Sequence, residues 1–135
     1  ARRSAFTALE QLGGVLLDDV AVPVHQLPGM LRSIEVIAER HRVRIGTFGH
    51  AGDGNMHPTV IFDPTDPDEV VRARAAFDEI IDRAIALGGT ITGEHGVGVL
   101  KRAHLTQMIG GTELDLAERI RGVFDPRGIL NPGRG

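Results

Sequence analysis

The sequence predicts an α+β domain of ferredoxin-like type, an antiparallel sheet with helices on one face. Three observations predict it. Between Val15 and Thr92, apolar β-branched runs and stretches of helical spacing follow one another in the order β-α-β-β-α-β. The pair Asp53-Gly54 lies between two apolar runs, which is a hairpin signal. The length of 135 residues and the hydrophobic content of 41% suit a single domain with a proper core. The domain is expected to fill residues 1–135, with C-terminal helices and a tail added to the sheet.

Arg2 to Leu12 has helical spacing, with Phe6, Leu9 and Leu12 on one side, and Gly13-Gly14 stops it. Val15 to Val22 is expected to be one strand, closed by Pro23. Leu27, Leu31, Ile34 and Ala38 predict a helix running to about Arg40, with Pro28 in its first turn. Val43 to His50 and Met56 to Phe62 are the hairpin strands. Asp66, Pro67 and Glu69 mark a capped helix start, followed by an apolar face of Val70, Ala73, Phe77, Ile80, Ile81 and Ala84 and by the terminator Gly88-Gly89. Thr90-Ile91-Thr92 reads as a short strand and Val99 to Met108 as a helix. Thr112 is expected to cap a last helix with Leu116, Ile120 and Val123 inward. Asp125 to Gly128 forms a turn, and Ile129 to Gly133 an extended tail.

Composition excludes several classes. Net charge is −3 with acids and bases interleaved, and the aromatic content is five Phe with no Trp or Tyr. A nucleic-acid surface needs a basic footprint or stacking platforms, so none is expected. No apolar run is long enough to span a bilayer, and no signal or transit-like leader opens the chain, so a soluble cytoplasmic protein is expected. The chain starts abruptly at Ala1-Arg2-Arg3 inside a helical pattern, as a fragment of something longer would. There are no cysteines, so any metal must be held by His, Asp or Glu. Lys101 is the only lysine, which reads as a coding bias.

Chemistry concentrates in two glycine-rich stretches. Gly49 to His57 carries His50 and His57 around the Asp-Gly pair. A two-residue type I′ loop at Asp53-Gly54 would set His50 directly opposite His57, with Cβ atoms roughly 4.5–5.5 Å apart. Two imidazoles at that spacing can share a metal ion. The same register puts Val43, Ile45, Val60 and Phe62 on the helix-covered face. Phe48, His50, His57, Thr59 and Ile61 fall on the other face, expected to be open. Gly93-Glu94-His95-Gly96-Val97-Gly98 adds an acid and a third histidine. Two His and one carboxylate form a three-ligand site with open positions, as in catalytic zinc sites, and iron or manganese fit the same donors. Glu94 and His95 are neighbours whose side chains diverge on extended backbone. Glu94 is therefore assigned to the metal and His95 to proton transfer, for which a neutral imidazole is the better base. Plainer readings compete: a polar hairpin tip with two surface histidines, or His95 capping a helix that starts near Val97. A phosphate cradle at Gly49-x-x-Gly52-x-Gly54 lacks the G-x-G-x-x-G spacing. His25, His41 and His104 lie outside both stretches and receive no role.

Taken in order, His50 to His57, Gly93 to Gly98 and Asp125-Pro126-Arg127-Gly128-Ile129-Leu130-Asn131-Pro132-Gly133 resemble the C-terminal, substrate and cap domain of FAD-linked oxidases of the vanillyl-alcohol-oxidase type. The resemblance covers essentially the whole chain and lies nearest the glycolate oxidase D subunit and the D-lactate dehydrogenases. It implies a divalent metal, usually zinc, on His50, His57 and Glu94. It implies His95 as the base that contacts substrate, Arg2 (with Arg3 as fallback) on the substrate carboxylate, and Asn131 near the flavin. It also implies an N-terminal FAD-binding domain, absent here, so the isolated chain is expected to be inactive.

Two departures bear on substrate. Leu17 stands where the 2-hydroxyglutarate enzymes of this group carry Lys, and Thr59 where they carry Asn at a substrate-binding position. Both changes favour a small monocarboxylate such as glycolate or D-lactate. The expected reaction is metal-assisted oxidation of a 2-hydroxy acid to a 2-oxo acid, with hydride passing to FAD. Expected partners are the substrate, the flavin domain or other oxidase subunits, and a second copy in a homodimer. Two rivals remain: a non-enzymatic ferredoxin-like module that binds a ligand or partner, and a metal-dependent hydrolase.

Overall fold

A computed structural model describes residues 8–133. The elements are β1 (Gly14–Leu17), β2 (Val20–Ala21), a 3-10 turn (Val24–Gln26), α1 (Leu27–His41), β3 (Arg44–His50), β4 (Asn55–Phe62), α2 (Pro67–Ala86), α3 (Arg102–Met108) and α4 (Gly111–Phe124). Strand β4 is the centre of the sheet. It pairs with β3 on one side and with β1 and β2 on the other, all antiparallel. A single antiparallel bridge joins Ala21 to Thr90 beyond β2. The architecture is thus α+β, and its chain order is the β-α-β-β-α-β expected. The last strand is reduced to that one bridge.

Helices α1 and α2 cover one sheet face. Met30, Ile34 and Ile37 of α1 and Ala73, Ala76, Phe77, Ile80, Ile81 and Ala84 of α2 bury against Val20, Val22, Met56 and Val60. Val43 joins this core and Ile45 and Phe62 pack against it, as their parity requires. Helix α2 starts where its caps say. The Asp66 carboxylate accepts the amides of Asp68 (2.9 Å) and Glu69 (3.2 Å), which satisfies two otherwise orphaned donors. The Asp66 amide turns back to the Asp63 carbonyl rather than to Glu69, so the capping box is one-sided. At the other end Gly88 adopts φ +75°, and Gly89 donates to the Ala84 carbonyl.

Five expectations need correction. The strand foreseen over Val15–Val22 is split at Asp18-Asp19. The register runs unchanged from Leu17↔Thr59 to Val20↔Met56, so Asp18 stands opposite Pro58 and Asp19 opposite His57. Pro58 accepts from the Asp18 amide at 2.9 Å but has no N–H to return, and the ladder breaks there. The hairpin loop is four residues, Ala51 to Gly54, not two. His50 pairs with Asn55 and Phe48 with His57. A type I′ turn needs φ > 0 at both central residues, and of Asp53 and Gly54 only Gly54 has it, at +82°. Asp53 instead accepts the Asn55 amide with its side chain (3.0 Å) in an Asx-type turn. The register moves by two residues, so face parity survives and His50 and His57 become diagonal neighbours.

The last helix starts at Gly111, with Gly110 rather than Thr112 at its N-cap, and it is turned outward. Leu116 and Ile120 are about half exposed and Val123 is 77% exposed. The helix foreseen from Val99 begins only at Arg102, after a series of turns. The sheet face opposite the helices is also less open than expected. His57, Thr59 and Ile61 are buried on it, and the Leu9 side chain lies against Gly46. Residues 8–10 are helical, as foreseen for that segment, whereas Arg2, Arg3 and Phe6 lie outside the described residues.

The four-residue loop can be tested by a matched pair. A Cβ at Gly54 would lie 2.0 Å from the Val22 carbonyl oxygen at a positive φ, while one at Gly52 meets nothing within 4 Å. Gly54→Ala should lose roughly 3 kcal/mol or more in urea unfolding, and Gly52→Ala less than about 0.5 kcal/mol. Equal losses would contradict this loop.

Candidate metal centre

Two segments meet over the break in the sheet. The first is the hairpin, which brings His50 from the end of β3 and His57 from β4. The second is the loop after Thr90, which carries Glu94 and His95. The ring centroids of His50 and His57 are 5.8 Å apart, edge to face, and His57 and His95 stack at 5.1 Å. Phe48, opposite His57 on β3, closes the apolar side at 5.6 Å. Nε2 of His57, His95 and His50 lie 3.3, 3.6 and 3.9 Å from a single oxygen, Glu94 Oε1. Donor atoms of His50, His57 and Glu94 all fall within 4.8 Å of one another. The His57 side chain is 2% exposed, and those of His50, Glu94 and His95 are 37%, 45% and 45% exposed. The cluster therefore has a buried floor and an open rim.

The local cause of this convergence is Asp19. Its Oδ2 accepts the Thr92 hydroxyl (2.9 Å) and three successive amides, those of Gly93 (2.9 Å), Glu94 (2.8 Å) and His95 (2.7 Å). Three consecutive N–H groups aimed at one oxygen curl the backbone, so Glu94 and His95 do not diverge as extended neighbours would. Positive φ at Gly96 and Gly98 continues the curl, and no helix starts near Val97, which removes the capping reading of His95. Gly93 lets the loop settle on Asn55, since a Cβ there would lie 2.5 Å from the Asn55 side chain.

Burial alone would raise the Asp19 carboxyl. The hydrogen bonds from His95, Glu94, Thr92 and Gly93 outweigh it and hold the group at about 2. Its other oxygen, Oδ1, faces His57 Nδ1 at 3.6 Å. Asp18 is fully buried beside it. Burial pushes that carboxyl up, and the Lys101 ammonium, 2.7 Å away, opposes the rise. Lys101 Nζ also donates to the carbonyls of Asp19 (2.6 Å) and Ile91 (2.7 Å), and so ties the loop to the broken strand.

The structure brings His50, His57, Glu94 and His95 together. Thr59 lies on the same face but is fully buried, its hydroxyl 3.4 Å from the His57 carbonyl that accepts from it. Asn131 sits in the exposed tail at φ +51°, where its carbonyl and that of Leu130 accept from Arg121. Arg2 lies outside the described residues. The histidines given no role have structural partners in two cases. His104 bridges Asp78 and Asp82 at 3.1 and 3.2 Å, and His41 contacts Glu79 at 2.6 Å.

Sequence reading passed over Asp18, Asp19, Asn55 and Lys101. One signal was available: two adjacent acids inside the apolar run Val15–Val22 must be paired if that run is buried. The single lysine of the chain is the counter-charge of Asp18, and the Asp19 carboxylate is held by the loop instead. The donor set fits a divalent cation of the zinc, iron or manganese type, with two neutral imidazoles and a carboxylate, one ligand backed by a second carboxylate, and an open side for further ligands.

Residues 1–134 match the family model described as "FAD linked oxidases, C-terminal domain". The chain is 47% identical over 135 residues to the glycolate oxidase subunit GlcD of Bacillus subtilis, covering 99% of this chain and 29% of that protein. It is 34% identical over 134 residues to GlcD of Escherichia coli K12, covering 98% and 27%. It is 35% identical over 137 residues to a D-lactate dehydrogenase of Anaerostipes hadrus, covering 99% and 29%. The chain thus spans less than a third of the length of these relatives.

The low Asp19 value has a signed consequence for stability. A carboxyl lowered on folding, from 3.8 to about 2, contributes stability above 3.8 that is lost as pH falls through that window. Asp19→Ala should therefore destabilise the fold by roughly 3 kcal/mol at neutral pH. The gap from wild type should narrow as the pH falls from 3.8 towards 2. Urea titrations at both ends of the range would show it, and a gap independent of pH would contradict the assignment.

Proposed function

We propose, from the premise that this chain belongs to the family of FAD-linked oxidase C-terminal domains, that it is the substrate-binding and cap domain of an FAD-dependent 2-hydroxy-acid oxidoreductase. The observation that carries the reading is the convergence of three imidazole Nε2 atoms on Glu94 Oε1 around the buried His57. His50, His57 and Glu94 would hold a divalent cation, with zinc the first candidate. When bound, that cation supplies Lewis acidity toward the hydroxyl and carboxylate oxygens of the substrate, and FAD, held by the part of the protein outside this chain, supplies the hydride acceptor. The chain's own residues do the rest. His95 stands at the open rim, stacked on His57, and takes the hydroxyl proton as a neutral imidazole. Arg2 pairs with the substrate carboxylate in bidentate fashion. Loss of the hydroxyl proton and of a hydride from Cα leaves a 2-oxo acid.

The names of two relatives, glycolate oxidase subunit and D-lactate dehydrogenase, support a small 2-hydroxy acid as the substrate. Leu17 and Thr59 stand where the 2-hydroxyglutarate enzymes of this group carry Lys and Asn, and that loss of polar groups supports glycolate or D-lactate over a dicarboxylate. Asn131, in the tail, would lie near the flavin. Leu116, Ile120, Val123, Phe124, Ile129 and Leu130 are all at least half exposed on α4 and the tail. We assign this apolar surface to contact with the flavin-binding part or another oxidase subunit, and in the isolated chain to self-association as a dimer. No helix among the described residues is long and apolar enough to cross a membrane.

The reading predicts the behaviour of two variants of the full-length flavoprotein. His57→Ala should lose the metal by elemental analysis. His95→Ala should keep it while kcat on glycolate or D-lactate falls by about 10²–10⁴-fold. Full metal stoichiometry in His57→Ala would refute the ligand assignment. Fastest turnover of 2-hydroxyglutarate by the wild type would refute the substrate class.

A further inference from the structure

We propose that Asp19 is a positioning residue that sets both halves of the site at once, aiming His57 with one carboxylate oxygen and folding the Glu94–His95 turn with the other. The proposal rests on the metal-centre reading above and adds to it a residue that contacts neither metal nor substrate.

The geometry separates this role from that of a merely structural acid. A carboxylate that only anchored the loop would need Oδ2 alone, which already takes the Thr92 hydroxyl and the three amides of Gly93, Glu94 and His95. The second oxygen is directed elsewhere, 3.6 Å from His57 Nδ1 in a pair whose side chains are each 2% exposed. A buried carboxylate at that nitrogen favours a proton on Nδ1. It thereby leaves the Nε2 lone pair toward His50 and Glu94, where a cation would be held. The other groups around Asp19 cannot substitute for it. Lys101 donates to its backbone carbonyl and to the Asp18 carboxylate, and the Asp18 carboxylate accepts the Asp19 amide at 2.8 Å. These contacts hold the Asp19 backbone still, so its side chain is aimed by the break in the strand. Opposite that break, in register, stands His57.

The test is Asp19→Asn in the full-length protein. The amide oxygen can still receive the loop's N–H groups, but the NH₂ group then faces His57 Nδ1 and drives the proton to Nε2. Zinc affinity, measured by competition with a chromophoric chelator, should fall about 10–100-fold. The ¹⁵N spectrum of selectively labelled histidine, in metal-free protein at a pH where the spectrum itself shows a neutral ring, should switch His57 from the Nδ1–H to the Nε2–H tautomer. Unchanged affinity and tautomer would overturn the proposal. Weaker affinity with an unchanged tautomer would overturn it too, because anchoring of the loop would then account for the whole effect. Should the variant fail to fold, the wild-type tautomer decides: Nδ1–H supports the proposal and Nε2–H overturns it. A wild type that binds no zinc yet shows Nδ1–H would sink the metal reading while leaving the aiming of His57 supported.

Discussion

Four donors from a single loop converge on Asp19 Oδ2, and this convergence shapes everything above the sheet. Satisfying three consecutive amides with one buried carboxylate fixes a tight backbone curl that regular secondary structure would not provide. The curl turns Glu94 and His95 back over the hairpin, where His50 and His57 wait. Asp19 itself is available because Pro58 interrupts the central ladder opposite its neighbour Asp18. The proline thus acts at one remove from the chemistry. It opens a gap in the strand, two acids occupy the gap, and the acids recruit the loop and the buried Lys101.

Much of the frame was legible in the sequence because it rests on local rules. The apolar periodicity of Val70 to Ala84, the Asp66 cap and Gly88 all describe α2 without tertiary information. Strand parity was legible too: a register error of two residues leaves every side chain on its face, so His50 and His57 share one face under either pairing. Asp-Gly alone does not suffice for a two-residue turn. Asp53 used its side chain to cap the Asn55 amide, and only Gly54 took positive φ.

What the sequence hid was long-range. The link from Asp19 to His95 spans 76 positions, and that from Lys101 to the Asp19 carbonyl spans 82. Periodicity carries no information about such pairs. The outward turn of α4 was hidden for a different reason. An amphipathic pattern says that a face is to be covered, not that this chain covers it. The exposed Val123 and Phe124 follow the pattern, and they stay 77% exposed among the described residues.

Whether His50, His57 and Glu94 form one metal centre can be read by anomalous diffraction from crystals of the full-length protein, recorded at the zinc, iron and manganese edges. One peak is expected at bonding distance, about 2.0–2.2 Å, from a nitrogen of both histidines and an oxygen of Glu94. A peak bound elsewhere, or no peak after soaking with each of the three metals, would contradict such a centre.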